Sequence, residues 1–182
     1  MRKHNGMRPQ DVALLLRLTL PESELLQGKR LAQALHLSPA EVSESLRRCL
    51  YSRLLQGGTS LRQVQTRALL EFLLYGLPYV FPVQPGALVR GLATGPSAPP
   101  LVNTFGLEPA YVWPSATGEL WGAAVEPLYA GASAAACDDA RLYELLALVD
   151  ALRLGRPRER RVATELLEKA LGIPKTSATH AS

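Results

Sequence analysis

Hydrophobic residues in the first 77 positions recur at helical spacing and predict a set of short helices. Pro9 opens the first apolar run and Pro21 ends it, because proline is tolerated in the first turn of a helix but not in its interior. A second run has its apolar face at Leu31, Ala32 and Leu35. The pattern therefore predicts two helices before residue 36.

A third helix is predicted directly after a tight turn at residues 37–38. Ser38 is a favourable N-cap, Pro39 suits the first helical position, and Glu41 completes a capping box with Ser38. The buried face of this helix is predicted at Val42, Leu46, Cys49 and Leu50. A short helix, a sharp turn and a longer capped helix form the pattern of a helix-turn-helix, although an ordinary helical hairpin has the same pattern.

The segment LAQALHLSPAEVSESL resembles the helix-turn-helix of winged-helix transcription regulators of the MarR or GntR kind. The matching residues are Ala32, Leu37, Ser38, Val42 and Leu46. His36 departs from the pattern, because the family usually has glycine there and this position often adopts a left-handed backbone.

The resemblance implies that the helix beginning near Pro39 enters the major groove of double-stranded DNA. Arg47 is the favoured guanine contact, since its planar fork can bond O6 and N7 together. The predicted DNA-binding residues are Lys29, Arg30, Ser38, Ala40, Ser43, Glu44, Arg47, Arg48, Arg53 and Arg62. The alternative is a solvated helix face with a Glu44–Arg48 ion pair.

A wing is hard to find in the sequence. After the turn signal around Gly57, helical periodicity resumes at Ser60 and predicts a helix as far as Tyr75, stopped by Gly76 and Pro78. The expected wing is therefore vestigial or formed elsewhere in the chain.

The middle of the chain contains a short internal repeat, with YVFP at 79–82 and YVWP at 111–114. Each copy is followed by a glycine turn and a second apolar run, so two similar β-hairpins that pair into a small sheet are predicted. A weak effector site is assigned to Tyr79, Phe81, Trp113 and Trp121. A β-unit core and a partner-protein surface are the alternatives for these aromatic residues.

The C-terminal third returns to helical patterns. Apolar residues between Leu142 and Leu152 surround most of one helix, which suits a dimer interface as well as an intrachain core. A last amphipathic helix is predicted at 158–171, and arginines around it suggest either a solvated turn or contact with a phosphate or an acidic partner. The predicted organisation is a DNA-binding domain at 1–77, a β-rich unit at 78–136, a helical dimerisation or packing segment at 137–174, and a disordered tail at 175–182.

Composition narrows the class of protein. With 47% hydrophobic residues in 182 positions, the chain is expected to be globular. Residues 1–67 carry eleven cations and five anions, an excess of six against a net charge of +4 for the whole chain. The basic excess thus lies around the helix-turn-helix, where phosphate contacts are expected.

Other kinds of chemistry receive little support from the sequence. Cys49 and Cys137 have no neighbouring histidine ligands, and no catalytic or phosphate-binding motif occurs. We expect no catalytic residue, metal or cofactor. No signal peptide or membrane span is predicted, so a cytoplasmic location in a bacterial cell is expected.

These patterns predict a mainly α fold with a small β part, built as a winged-helix-like domain, a central β-hairpin unit and C-terminal helices. The function they indicate is a sequence-specific regulator that acts as a homodimer, most simply as a repressor, with a small molecule or protein as effector. The alternative is a protein-interaction adaptor that uses the β-unit and the C-terminal helices and does not bind DNA.

Overall fold

The computed structural model describes residues 5–21, 28–57, 62–106 and 110–174, and these ranges are mainly helical with small sheets. The predicted α+β class is confirmed. Among the described helices, none is long and apolar enough to cross a membrane. The predicted tail at 175–182 lies outside the described residues.

The N-terminal unit contains α1 (Pro9–Thr19), α2 (Gly28–Leu35) and α3 (Pro39–Tyr51), followed by β1 (Leu55–Gly57) and β2 (Arg62–Val64). The turn between α2 and α3 is closed by the amide of Leu37, which donates to the carbonyl of Ala32 at 2.9 Å. His36 has φ 50, the left-handed conformation that the sequence predicted at this position.

The β1–β2 strand pair differs from the sequence prediction, which placed a helix from Ser60 onward. The strands are antiparallel, with Leu55 opposite Val64, and the next helix begins only at Thr66. Each strand has three residues, too few for an alternating pattern to be recognised. Burial of Leu55 fixes the strand pair against the core.

Helical structure then runs without a break through residues 66–80, as α4 (Thr66–Glu71), a π-helical turn (Phe72–Gly76) and α5 (Leu77–Val80). The predicted stop at Gly76 and Pro78 is wrong. Pro78 has no amide hydrogen to donate. It follows the wider π turn and lies in the first turn of α5, where proline is tolerated. The domain boundary predicted at 77/78 falls inside this stretch.

The β-unit is a closed arrangement of β3 (Leu88–Ala93), β4 (Tyr111–Pro114) and β5 (Leu120–Ala124). β3 is antiparallel to both other strands, so β4 and β5 are parallel to each other. Gly91 lies at the closure, where an added Cβ would be 2.0 Å from the carbonyl oxygen of Trp113. Only a residue without a side chain allows this approach.

The two predicted hairpins are therefore wrong. The first copy of the repeat does not form a strand, because Tyr79 and Val80 are helical and Phe81 and Pro82 follow the helix end. The second copy does form strands β4 and β5, but these pair in parallel and not as a hairpin.

The remaining helices are α6 (Val102–Phe105), α7 (Ala132–Asp138), α8 (Ala140–Leu154) and α9 (Pro157–Ala170). Asp139 caps α8 by accepting from the amides of Arg141 and Leu142 at 3.0 and 3.1 Å. The apolar residues of α8 are buried within the chain against α1, α7, α9 and the 3-10 turn Gly95–Ser97. They are thus used for intrachain packing and not displayed to a second copy.

One hydrophobic cluster extends from Val12 in α1 to Leu171 after α9. Inside it, the carboxylate of Asp150 accepts from Thr94 Oγ1 at 2.8 Å, Trp113 Nε1 at 2.6 Å and Arg153 Nη1 at 2.7 Å. This buried network connects the β-unit to α8.

Candidate nucleic-acid interface

The start of α3 is held by a reciprocal capping box. The amide of Glu41 donates to Ser38 Oγ at 3.2 Å, and the amide of Ser38 donates to Glu41 Oε2 at 2.9 Å. The backbone hydrogen bond from Ser38 lowers the pKa of Glu41, with a smaller contribution from the Ser38 hydroxyl. The negative charge of Glu41 therefore stabilises the start of α3, where the helix dipole favours an anion.

An exposed stripe follows one side of α3. Ala40 and Ser43 are exposed, Arg47 is half-buried, and Leu50 and Tyr51 are 42% and 67% exposed. These positions are three or four residues apart, so they form one continuous face of the helix. This face of α3 is accessible to a partner.

Arg47 is held by two neighbours. Its Nε and Nη2 donate to Glu44 Oε2 at 3.1 and 2.9 Å, and its Nη1 donates to Asn5 Oδ1 at 2.6 Å. The ion pair predicted between Glu44 and Arg48 is instead formed with Arg47. Because this pair is partly exposed, a stronger acceptor can replace Glu44 at small cost.

Arg48 has a different role from the one predicted. It is 3% exposed, and its Nε and Nη2 donate to Asp11 Oδ2 and Oδ1 at 2.7 and 2.6 Å. Ser45 Oγ accepts a third bond from Nη2 at 2.9 Å, and the Asp11 interaction raises the pKa of Arg48. Arg48 joins α3 to α1 and is not placed to contact DNA.

A groove of about 720 Å³ lies along α3, next to the start of α2 and the β1–β2 strand pair. Its apolar lining includes Leu46, Leu50 and Leu55. Its charged lining residues are Lys29, Arg47 and Arg62, and no carboxylate is among the described residues that line it. The groove is thus lined by apolar and basic side chains, with no acidic side chain among its described lining residues.

The other predicted DNA-binding residues flank α3 in the sequence. Lys29 and Arg30 are exposed on α2, and Ser38 is exposed at the start of α3. Arg53 is exposed in the turn after α3, with φ 61. The sequence prediction missed Asn5, because an asparagine in an N-terminal arm carries no functional signal alone. It placed Leu46 and Leu50 on the buried face of α3, whereas both line the groove.

The four aromatic residues assigned to an effector site do not share one environment. Trp113 is 1% exposed and packs against Tyr143, with ring centroids 6.0 Å apart. Tyr79 and Trp121 are 80% and 58% exposed, and Phe81 is half-buried. Trp113 belongs to the core of the β-unit and is not accessible to an effector, so the prediction is wrong for this residue.

The arginines near the α8–α9 junction also differ in burial and in hydrogen-bond partners. Arg153 is buried and donates to the carbonyls of Phe81 and Glu126 at 3.0 and 3.1 Å. Arg160 donates to the carbonyl of Leu74 at 3.3 Å. The cluster is therefore only partly the exposed turn that the sequence predicted.

The two cysteines lie in different environments. Cys49 is buried and Cys137 is exposed, and no group of three or more metal-binding side chains occurs among the described residues. Burial raises the pKa of Cys49, with a smaller contribution from Asp11.

Comparisons with protein-family models, curated proteins and solved structures gave no match for this chain.

Proposed function

We propose that the protein is a sequence-specific DNA-binding regulator that reads the major groove with α3, in the manner of a winged helix-turn-helix. The observation that supports this most is the groove along α3, whose charged lining residues are all basic. A surface of this kind favours a phosphate-rich partner.

Base contacts are assigned to the exposed stripe of α3. The major groove of B-DNA is about 12 Å wide and admits an α-helix. Ser43 can reach a base or a phosphate, and Arg47 can exchange Glu44 for the O6 and N7 atoms of a guanine. The released ion pair is worth about 0–1 kcal/mol, and a bidentate base contact gives about 1–3 kcal/mol of discrimination.

Phosphate contacts are assigned to Lys29 at the start of α2 and to Arg62 on β2. Both residues line the groove along α3. In this arrangement the β1–β2 strand pair takes the place of the wing. Arg48 takes no part, because Asp11 holds it in the core.

We further propose that the protein binds as a homodimer and represses transcription by occupying its site. One reading helix offers few base contacts, and a two-fold pair reads two half-sites about 34 Å apart. The buried face of α8 is not available for this contact, so the dimer must use another surface. A role in transcription implies a cytoplasmic location.

The test is selection of bound sequences from a random duplex library, followed by fluorescence anisotropy over a salt series. Arg47→Ala should reduce the preference for the selected duplex over a scrambled one by about 1–3 kcal/mol. Arg62→Gln should weaken binding to both duplexes equally and reduce the salt slope by about 1. Lys169→Gln, which removes an exposed cation from α9, is the matched control and should change neither quantity.

Failure to enrich any sequence, together with affinity that does not fall with salt, would refute the proposal. The alternative is then an adaptor that binds a protein partner. The exposed apolar residues Leu50 and Tyr51 favour it, since an amphipathic partner helix could cover them. In that case Leu50→Ser would abolish partner binding, whereas Arg62→Gln would leave it intact.

A further inference from the structure

A second cavity, of about 370 Å³, lies at the start of α9 and away from the reading helix. Its described lining residues are Pro96, Phe105, Gly106, Arg156, Pro157, Arg158 and Glu159. The proposed DNA contacts use none of these residues.

Two guanidinium groups line this cavity, and aromatic rings hold both of them. Arg158 stacks over Phe105 at 5.5 Å from the ring centroid, and Arg156 lies over Tyr111 at 6.0 Å. Stacking restrains a guanidinium group through its flat face and leaves the N–H groups on its edge free to bind an anion.

The backbone at the start of α9 adds to this positive wall. No side chain caps the helix, whose N-cap residue is Arg156. Pro157 has no amide hydrogen, so the first amides that can donate are those of Arg158 and Glu159. A helix of 14 residues directs the positive end of its dipole to the same place.

Glu159, which also lines the cavity, has an unpartnered carboxyl oxygen among the described residues. The residue is 7% exposed, and its Oε2 has no hydrogen-bond partner among the described residues. Its other oxygen lies 3.6 Å from Arg156 Nη1. Buried carboxyl oxygens nearly always have a partner, so an unpartnered one in a residue that lines the cavity indicates a missing donor or acceptor group.

We propose that this cavity binds a small phosphorylated molecule. Its phosphate contacts Arg156, Arg158 and the first amides of α9, and a hydroxyl or amino group of the same molecule contacts Glu159. A phosphate suits two guanidinium groups and a helix start, because it offers three oxygens to charged donors. The cavity volume lies within the range of about 300–1,000 Å³ that is usual for small-molecule sites.

Isothermal titration calorimetry on the full chain, without DNA, tests the proposal separately from the proposed function. The probes are adenosine 5′-monophosphate and ribose 5-phosphate, each with phosphate and a donor, against inorganic phosphate and adenosine. At least one phosphorylated probe should bind more tightly than inorganic phosphate, and adenosine should bind more weakly than its monophosphate.

Arg158→Gln should weaken binding of the tighter probe by about tenfold, the expected effect of losing one charge-assisted contact. Arg161→Gln is the matched control, because it removes an exposed cation from the same helix outside the cavity. A thermal melt checks each variant, and Arg156→Gln replaces Arg158→Gln if the latter melts earlier than the wild type. The proposal is wrong if neither phosphorylated probe binds, or if the cavity variant and the control lose affinity equally.

Discussion

The buried ion pair between Asp11 and Arg48 gives the sharpest test of how α3 is held. Both side chains are almost fully buried, and two hydrogen bonds of 2.7 and 2.6 Å join them. Asp11 Oδ2 also accepts from the amide of Arg8 at 2.8 Å, so this carboxylate stabilises the start of α1 as well. The perturbation is Arg48→Met, which keeps an unbranched chain and removes the charge.

Removing one partner of a buried ion pair costs about 3–5 kcal/mol, because the remaining charge is buried without compensation. Arg48→Met should therefore lower the free energy of unfolding by this amount. Asp11→Ala should cost more, since the loss of the Arg8 bond adds about 0.5–1.5 kcal/mol. The double variant should be more stable than the sum of the two losses predicts, because it leaves neither charge unpaired.

Urea unfolding followed by circular dichroism measures all four proteins in a double-mutant cycle. We expect a coupling energy of about 1.5–3 kcal/mol. A loss below about 1 kcal/mol for Arg48→Met, the size expected of an exposed pair, would refute the reasoning. So would a selective loss of DNA binding with unchanged stability, because Arg48 would then act at the surface.

Three further predictions rest on other parts of the fold. Gly91→Ala should prevent closure of the β-unit, because the new Cβ would be 2.0 Å from the carbonyl oxygen of Trp113; the near-ultraviolet circular dichroism of the tryptophans should collapse. Burial raises the pKa of Glu159 above 4.5, so the folded state holds its proton more tightly and this contribution to stability is lost as pH rises through the raised pKa. The free energy of unfolding of Glu159→Gln, relative to that of the wild type, should therefore increase as pH rises from about 4.5. Urea unfolding at several pH values measures this difference, and a difference that does not change with pH would contradict the prediction. A thiol reagent should modify exposed Cys137 in the native protein and reach buried Cys49 only on unfolding; equal rates would contradict the structure.

The parts of the fold that follow local rules could be predicted from the sequence. Ser38 and Glu41 define the start of α3 because the capping bonds join residues only three positions apart. The repeat at 79–82 and 111–114 shows the limit of such rules. Tyr79 continues a helix that has passed through a π turn, whereas Tyr111 pairs with another strand, so tertiary context decides between two structures for nearly the same tetrapeptide.

The candidate interface could be predicted only in part, for a related reason. Arg47 and Arg48 are neighbours of the same type, yet one is half-buried and the other is in the core. The partner that decides this, Asp11, is 37 residues away on α1. A charged residue inside the apolar run of α1 was the available signal, because a buried carboxylate requires a cation.

The same contacts determine how rigidly α3 is presented. α1 packs against both α3 and α8, and Asp11 fixes its α3 side through Arg48. On its α8 side, Arg17 Nε lies 3.5 Å from Asp139 Oδ2. His36, in the turn before α3, pairs with Asp138 at 2.7 Å and joins the turn between α2 and α3 directly to α7. α3 is therefore connected to the C-terminal helices along two routes, through the buried Asp11–Arg48 pair on α1 and through the turn at His36.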